Sequence, residues 1–235
     1  MNIYKTFTIA ATFCLALMLG SCGDDDNNPV VKPTTQGTFT DADGSVYGWV
    51  RIGGLDWMTQ SYHGGQTWYT QSGISENDFE FDLSTDNSEE VEDSLIKVRG
   101  NFYTLQQALD LCPDGWRLPT DDDWKQLEMA LGMSSKEADK EGWRNGAGYL
   151  MQQTAEQGTG LAMLCPGEIT SWITTVPSMY HEGDYGYYWT STIDTTKEKE
   201  VAYIRVITPV ANKVERGTTT TKLNYLSVRY VRNAQ

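Results

Sequence analysis

The chain has 235 residues, with 18 basic and 32 acidic side chains, and its formal net charge is −14 at pH 7. This length is sufficient for one well-buried domain or two small ones. Nucleic acid and anionic lipid surfaces would both repel so acidic a protein, so we expect neither as a direct partner.

Residues 1–21 have the pattern of a secretion signal. Lys5 supplies one positive charge, and the apolar stretch from Phe7 to Leu19 is too short to span a bilayer. Residues 19–22, Leu-Gly-Ser-Cys, resemble a bacterial lipobox, in which the cysteine is lipidated after cleavage. We therefore predict a membrane anchor at Cys22. The alternative is an ordinary signal peptide followed by a coincidental cysteine.

An acidic tract follows the predicted anchor. Residues 23–28, Gly-Asp-Asp-Asp-Asn-Asn, resemble the export signal that places Bacteroidetes lipoproteins on the outer face of the outer membrane. The other interpretation is a solvated tether. With Pro29 and Pro33, residues 22–37 read as a linker, so a single domain is predicted over residues 38–235. We expect an outer-membrane lipoprotein exposed on the cell surface.

The domain opens with a predicted β-hairpin over Thr38–Ile52. Asp43-Gly44 is a turn dipeptide, and apolar residues dominate the strand that follows. Asp41 and Asp43 also have the spacing that starts an EF-hand loop. That loop needs a bidentate acid at its twelfth position, which here is Ile52, so a turn is favoured over calcium binding.

Residues 60–100 form a predicted insertion. Between Glu76 and Asp93 there are nine acidic residues and no basic one. Phe79 and Phe81 alternate with acids, which is typical of an extended segment held by one apolar face. Insertions on a rigid scaffold often carry binding specificity.

Three helices are predicted next. The first begins at Thr104, which forms a capping box with Gln107, and the second begins at Thr120. Residues 121–123, three aspartates, fall in the first turn of the second helix, where negative charge complements the helix dipole. Successive helical side chains point about 100° apart, so these three do not converge on one cation. A third short helix is predicted over residues 134–142.

The C-terminal part is rich in strands and turns. Tyr187–Ile193, Val201–Val206 and Leu223–Val231 are the strand candidates, because β-branched and aromatic residues dominate them. Helices in the middle and strands at both ends indicate an α+β domain.

Several blocks are similar to one known family. Residues 115–124, Gly-Trp-Arg-Leu-Pro-Thr-Asp-Asp-Asp-Trp, resemble the signature of the Fibrobacter succinogenes major paralogous domain. Further similar blocks occur, in family order, at residues 52–58, 158–167, 185–191 and 226–231. The resemblance implies a fold related to C-type lectins and sulfatase-modifying factors. In such a fold, two or more helices pack on twisted antiparallel sheets with long loops.

The same resemblance bears on the cysteines. Family members pair a cysteine at the position of Cys112 with one in a terminal motif, where this chain has Tyr230. Whether Cys165 replaces that partner, in a Cys112–Cys165 disulfide, stays open at this point.

Recognisable catalytic and metal motifs are missing from the sequence. The calcium-binding tripeptides of C-type lectins are absent, and the catalytic cysteines of the sulfatase-modifying relatives have no match. Cys165 with His63 or His181 has no spacing that marks an activated thiol, and no zinc pattern occurs. We expect no catalytic residues and no cofactor; calcium remains conceivable but has no motif.

Aromatic residues are the best candidates for a ligand site. The chain has 8 Trp and 13 Tyr, and aromatic rings pack against the apolar faces of sugars. Trp68, Tyr69 and His63 lie in a Gly-rich loop outside the family blocks. Tyr185 belongs to a second cluster with Tyr188, which strand alternation would expose while its two neighbours are buried.

These features favour a non-catalytic binding module at the cell surface, with a glycan or a protein as ligand. One alternative is a structural role, as an accessory or tip subunit of a cell-surface assembly. Another is an enzyme, which would need an acid and a base in one cleft. The carboxylates nearest to the second aromatic cluster are Glu168, Glu182 and Asp184.

Overall fold

The computed structural model describes residues 31–65, 98–171 and 177–234. Eleven strands and four short helices lie wholly within these ranges. Every pairing between named strands is antiparallel, so the protein is a sheet-rich α+β domain. Among the described residues, no helix has the length and apolar character needed to cross a membrane.

The elements are short. The strands are β1 (Gln36–Thr40), β2 (Val46–Ile52), β3 (Leu55–Met58), β4 (Gly142–Asn145), β5 (Glu168–Thr170), β6 (Ser178–Tyr180), β7 (Gly186–Ile193), β8 (Val201–Ile207), β9 (Lys213–Thr220), β10 (Asn224–Tyr225) and β11 (Val231–Asn233). The helices are α1 (Leu105–Asp110), α2 (Asp121–Ala130), α3 (Ser135–Ala138) and α4 (Gly148–Gln152).

The strands form three sheets. One has the order β1-β2-β3-β11, so the first and last described strands belong to the same sheet. A second has the order β4-β9-β8-β7, and the third is the small sheet β10-β5-β6. The second sheet, called the central sheet below, carries the candidate site.

The predicted N-terminal hairpin is confirmed. The Asp41 carboxylate accepts hydrogen bonds from the backbone N–H groups of Asp43 (3.0 Å) and Ser45 (2.9 Å). Gly44 takes a φ of 85°, which glycine adopts without strain. β1 begins at Gln36, so the sheet extends into the last residues of the predicted tether.

The predicted capping box at Thr104 is present, and the predicted cap Thr120 also forms a capping box. The Thr104 hydroxyl accepts from the N–H of Gln107 at 3.2 Å, and Thr120 forms the same arrangement with Asp123. A hydroxyl and a longer polar side chain thus satisfy donors that the first turn leaves free. The third predicted helix does start after Ser134, but it ends at Ala138 because β4 begins at Gly142.

The predictions for the strands were partly wrong. Residues 223–231 do not form one strand. They are divided between β10 and β11, and the residues between them bridge to other segments, as Leu226 does to Tyr103. β9 was missed because its sequence is largely polar, Lys-Val-Glu-Arg-Gly-Thr-Thr-Thr.

The central sheet separates two hydrophobic clusters. On one face, Tyr188 and Ile207 pack with Trp124 and Leu127 of α2. On the other face, residues such as Trp189 join a cluster that includes Tyr230. Strand alternation sends neighbouring residues to opposite clusters, so both faces of this sheet are largely covered.

A buried ion network joins α2 to the central sheet. Glu128 is fully buried and accepts hydrogen bonds from Arg144 (2.6 and 2.8 Å) and from Arg205 (2.6 Å). Two helix turns earlier, Asp121 accepts from Arg205 (2.8 Å) and from Arg216 (2.7 Å). Two carboxylates therefore bind three guanidinium groups that strands β4, β8 and β9 direct into the protein.

The first turn of α2 is thus more than a complement to the helix dipole. Burial alone would raise the pKa of Asp121, but hydrogen bonds from Arg216 and the charge of Arg205 outweigh burial and hold the pKa well below its usual value. Asp123 forms an ion pair with Arg117, while Asp122 stays exposed. The three aspartates diverge, as helix geometry predicts.

The described ends of the acidic insertion lie side by side. The Asn101 N–H donates to the Tyr62 carbonyl at 2.9 Å, so the chain leaves and returns at one place. Phe79, Phe81 and the acidic run between Glu76 and Asp93 lie outside the described residues.

The two cysteines of the domain are free thiols, so the Cys112–Cys165 disulfide is not formed. The reason is their placement: Cys112 packs against the cluster that contains Tyr230, and Cys165 against the cluster on the other face. The Tyr230 hydroxyl donates to the Ala108 carbonyl at 2.6 Å. Burial is the main cause that raises the pKa of Tyr230, and the nearby Cys112 is the second. Tyr230 therefore fills space beside Cys112.

The thiols should be unreactive in the folded protein. Burial raises the pKa of Cys112 to about 12 and that of Cys165 to about 11. At pH 8 fewer than about one molecule in a thousand then carries a thiolate at either site. We expect slow modification of folded Gly23–Gln235 by a thiol reagent and two rapidly modified thiols after denaturation without reductant. Denatured protein that shows no thiol would demonstrate the disulfide instead.

The ion network should dominate stability. Glu128→Gln leaves the buried guanidinium of Arg144 without its counter-charge, so we expect the free energy of unfolding to fall by about 3–5 kcal/mol in urea titrations. The exposed Glu156→Gln is the matched control and should change it little. Equal effects of the two substitutions would show that the network does not stabilise the fold.

Candidate functional site

The site lies on the central sheet, where strand β7 sets which aromatic residue is accessible. Tyr188 is fully buried, and its hydroxyl donates to the Leu164 carbonyl at 2.6 Å. The expectation that Tyr188 is exposed was therefore wrong. The alternation itself is correct, but α2 covers the Tyr188 face of the sheet, and it is Tyr187 that is only half-buried.

Four strands place residues in one row across that sheet. Trp143 of β4 pairs with Glu215 of β9. Glu215 pairs in turn with Val206 of β8, and Val206 pairs with Tyr187 of β7. Partners in an antiparallel ladder point to the same face, and each step is about 4.8 Å. The sheet thus directs an indole, a carboxylate and a phenol to one side.

Close backbone contact brings Glu168 to the same place. A parallel bridge joins Gly167 to Gly186 at the start of β7. A Cβ on Gly186 would lie 2.2 Å from the Leu164 carbonyl oxygen, and one on Gly167 would lie 2.3 Å from that of Tyr180. Only glycine permits this approach, which places Glu168 near Tyr187.

A tight turn supplies the remaining rings. The N–H groups of Asp184 and Tyr185 both donate to the His181 carbonyl at 3.1 Å. His181 takes a φ of 60°, which is sparsely populated by non-glycine residues. Its Nδ1 atom lies 3.0 Å from the Tyr187 hydroxyl and 3.7 Å from a Glu168 carboxylate oxygen.

These groups form a continuous surface, which we call the aromatic face: Trp143, His181, Tyr185, Tyr187, Glu168 and Glu215. Tyr185 is its centre, with ring centroids 6.0 Å from Trp143, 5.6 Å from His181 and 6.1 Å from Tyr187. Trp143 is 42% exposed, although indole rings are normally well covered. The rings are held by strands and one turn, so the surface is preformed.

The carboxyl groups of the aromatic face are partly desolvated. Burial raises the pKa of Glu168, and the nearby His181 only partly offsets this. Burial likewise raises the pKa of Glu215, against a smaller opposing effect of Arg144. The Tyr187 pKa is raised by burial and then by the charge of Glu168. Such groups have more to gain from a ligand than fully hydrated ones.

The structure separates the other predicted ligand residues from this face. Tyr185 is at its centre, but His63 lies elsewhere, with its Nδ1 atom 3.1 Å from the Tyr47 hydroxyl. Trp68 and Tyr69 fall outside the described residues, so the predicted role of that loop stays a prediction.

Of the carboxylates proposed as an acid–base pair, only Glu168 belongs to the aromatic face. Glu182 forms an ion pair with Arg99 across the surface, and Asp184 is exposed in the turn. The Cys165 sulfur faces Gln152 Oε1 at 3.9 Å and the Ile207 carbonyl at 3.8 Å. These contacts, and its raised pKa, give this thiol no activating base.

A metal site would need several ligand side chains grouped together. Within residues 31–65, 98–171 and 177–234, no three His, Cys, Asp or Glu side chains are grouped as a metal site. The Asp41–Ser45 turn uses its Asp41 carboxylate for backbone hydrogen bonds, as in the favoured hairpin interpretation.

A cleft shares none of its described lining residues with the aromatic face. It has a volume of about 640 Å³, runs beside β1 and is lined by Gly37, Trp49, Gln60 and Ala162, among others. Its lining is mostly apolar. Arg229 is the charged residue among the described lining, and its guanidinium is already bound to carbonyls, including Met58 O at 2.9 Å. The cleft therefore offers shape and apolar area but little chemistry.

Sequence reasoning missed five members of the aromatic face as ligand residues: Trp143, Glu168, His181, Tyr187 and Glu215. Tyr187 lies in the family block at residues 185–191, whereas Trp143 and Glu215 belong to no motif and acquire their places from the pairing of β4, β9 and β8. The sequence signals available were the Tyr185–Trp189 cluster and the nearby Glu168.

The protein is thus an antiparallel-sheet domain with short capped helices and a preformed aromatic face. Its sequence matches the model of the Fibrobacter succinogenes major domain over residues 50–232, more than half of its length, and the chain belongs to that family. The resemblance of residues 115–124 is thereby confirmed. No curated protein and no solved structure matches the chain.

The raised pKa of Glu215 predicts a pH effect on stability. A carboxyl group whose pKa is higher in the folded state stabilises the fold below its unfolded pKa, and this contribution is lost as the pH rises through the folded pKa. We expect Glu215→Gln, which cannot ionise, to gain stability relative to the original chain as the pH rises above about 4, the usual pKa of an unfolded glutamate. Melting temperatures over a series of pH values would measure it. A difference that does not change with pH would contradict the burial of charge.

Proposed function

We propose that this protein is a non-catalytic carbohydrate-binding module and that the aromatic face is its ligand site. The observation that carries the proposal is the 42% exposed Trp143, held beside Tyr185 and two carboxylates on a rigid sheet. Exposed rings stack on the C–H faces of sugars, and carboxylates accept hydrogen bonds from sugar hydroxyls.

The cellular setting is part of the same proposal. The module is a lipoprotein anchored through Cys22, exposed at the cell surface by a short tether, with a C-type-lectin-like arrangement of its sheets and helices. A folded domain that begins near Gln36 and follows a short linker is compatible with presentation to extracellular glycans. We propose no cofactor, because ring stacking and hydrogen bonds are sufficient for recognition.

A second candidate is an accessory subunit of a cell-surface assembly. The specific observation that favours it is the apolar cleft beside β1, which is the outer strand of its sheet. An extended segment of a partner protein could pair with this edge and place side chains in the cleft. Trp49 would then be the residue on which binding depends.

Glycan binding tests the first candidate. Soluble Gly23–Gln235 should bind a set of ligands on a broad glycan array, and Trp143→Ala or Tyr185→Ala should weaken that binding by about tenfold or more. Tyr149→Ala is the matched control, because Tyr149 is 38% exposed but lies outside the aromatic face. Isothermal titration of the best ligand would give the affinities.

The outcomes separate the two candidates. Binding that Tyr149→Ala weakens as much as Trp143→Ala would remove the aromatic face as the site. A blank array would contradict carbohydrate binding and leave the partner-protein role, for which loss of partner binding on Trp49→Ala is the corresponding test.

A further inference from the structure

We infer that the aromatic face selects a positively charged sugar, one whose amino group is free rather than acetylated. The inference rests on the proposed carbohydrate-binding function and adds the chemical class of the ligand. Two observations support the inference: the inclination of the rings, and two carboxylates that lack a permanently charged partner.

The aromatic rings are inclined to one another and do not form one flat surface. Tyr185 is inclined by 89° to His181, by 59° to Tyr187 and by 44° to Trp143, with centroids 5.6–6.1 Å apart. A flat platform suits the broad C–H face of a neutral sugar. Inclined rings instead present π-faces in several directions, and an exposed π-face attracts an ammonium group.

The carboxylates supply the negative charge that such a group needs. Glu215 has no ion-pair partner within the described residues, and it stands in the row between Trp143 and Tyr187. Within the described part of the chain, the ion-pair contact of Glu168 is with the imidazole of His181, at 3.7 Å. An ammonium group bound beside the rings would therefore meet two carboxylates that lack a permanent cation.

Nearby basic residues do not fill this role. Arg99 pairs with Glu182, and Arg144 directs its guanidinium to Glu128 on the opposite face of the sheet. Lys213 lies two residues before Glu215 on β9, and within the described residues it forms no ion pair with it. The local charge thus remains negative.

Two matched oligosaccharides test the inference. Glucosamine and N-acetylglucosamine tetramers share one backbone and differ in the charge of the C2 nitrogen. We expect the free-amine tetramer to bind Gly23–Gln235 at least about fivefold more tightly at low salt, with the preference falling as salt is raised. The double variant Glu168→Gln, Glu215→Gln should abolish the preference while the domain stays folded and still binds through its rings.

A second double variant controls for overall charge. Glu156→Gln with Glu198→Gln removes the same two charges from exposed positions elsewhere. If it lowers the preference as much as the site variant, attraction is non-specific and the inference is wrong. Equal or tighter binding of the acetylated tetramer, still weakened by Trp143→Ala, would overturn charge selection but leave carbohydrate binding intact. Failure of both tetramers to bind would also overturn the inference, and the glycan array then decides the proposed function.

Discussion

The fold depends on the ion network that joins three arginines to one helix. Arg205 and Arg216 are cross-strand partners on adjacent strands, so their like charges point to the same face. Asp121 and Glu128 lie two turns apart on the same face of α2, and together they bind these two guanidinium groups and Arg144. A hydrophobic contact would tolerate small shifts of the helix over the sheet, but charge-assisted hydrogen bonds near 2.7 Å do not. The network therefore fixes the position of α2 on β4, β8 and β9 and, with it, the pairing of those strands.

The candidate site is the outward counterpart of this buried network. Trp143 precedes Arg144, and Glu215 precedes Arg216; in each pair one residue faces the helix and the other faces outward. Strands β4 and β9, which direct Arg144 and Arg216 inward, therefore direct Trp143 and Glu215 outward. Strand β7 supplies Tyr187, and the rest of the aromatic face comes from β5 and from the turn at His181. Burial of Tyr188 follows from the same alternation, since it shares the inward face with Arg205.

Local signals predicted the local structure well. Thr104 and Thr120 identified both capped helices, and Asp43-Gly44 identified the first turn, because a cap or turn is determined by residues within a few positions. The family blocks predicted membership. By contrast, β9 carries few apolar residues, and the row from Trp143 to Tyr187 depends on pairing between segments far apart in sequence. Tyr188 shows most clearly what the sequence could not predict. Strand alternation predicted that Tyr188 points away from its two neighbours, but the face of the sheet that α2 covers depends on tertiary packing.

The candidate site lies on a sheet whose inner face is held by ion pairs, and this affects which substitutions the site can accept. The outward residues contribute little to holding the strands in register, since Arg144, Arg205 and Arg216 do so from the other side. Exchange of an exposed side chain on the outer row, such as Trp143, should therefore leave that register unchanged. The same scaffold would then present a different combination of rings and charges at a fixed spacing.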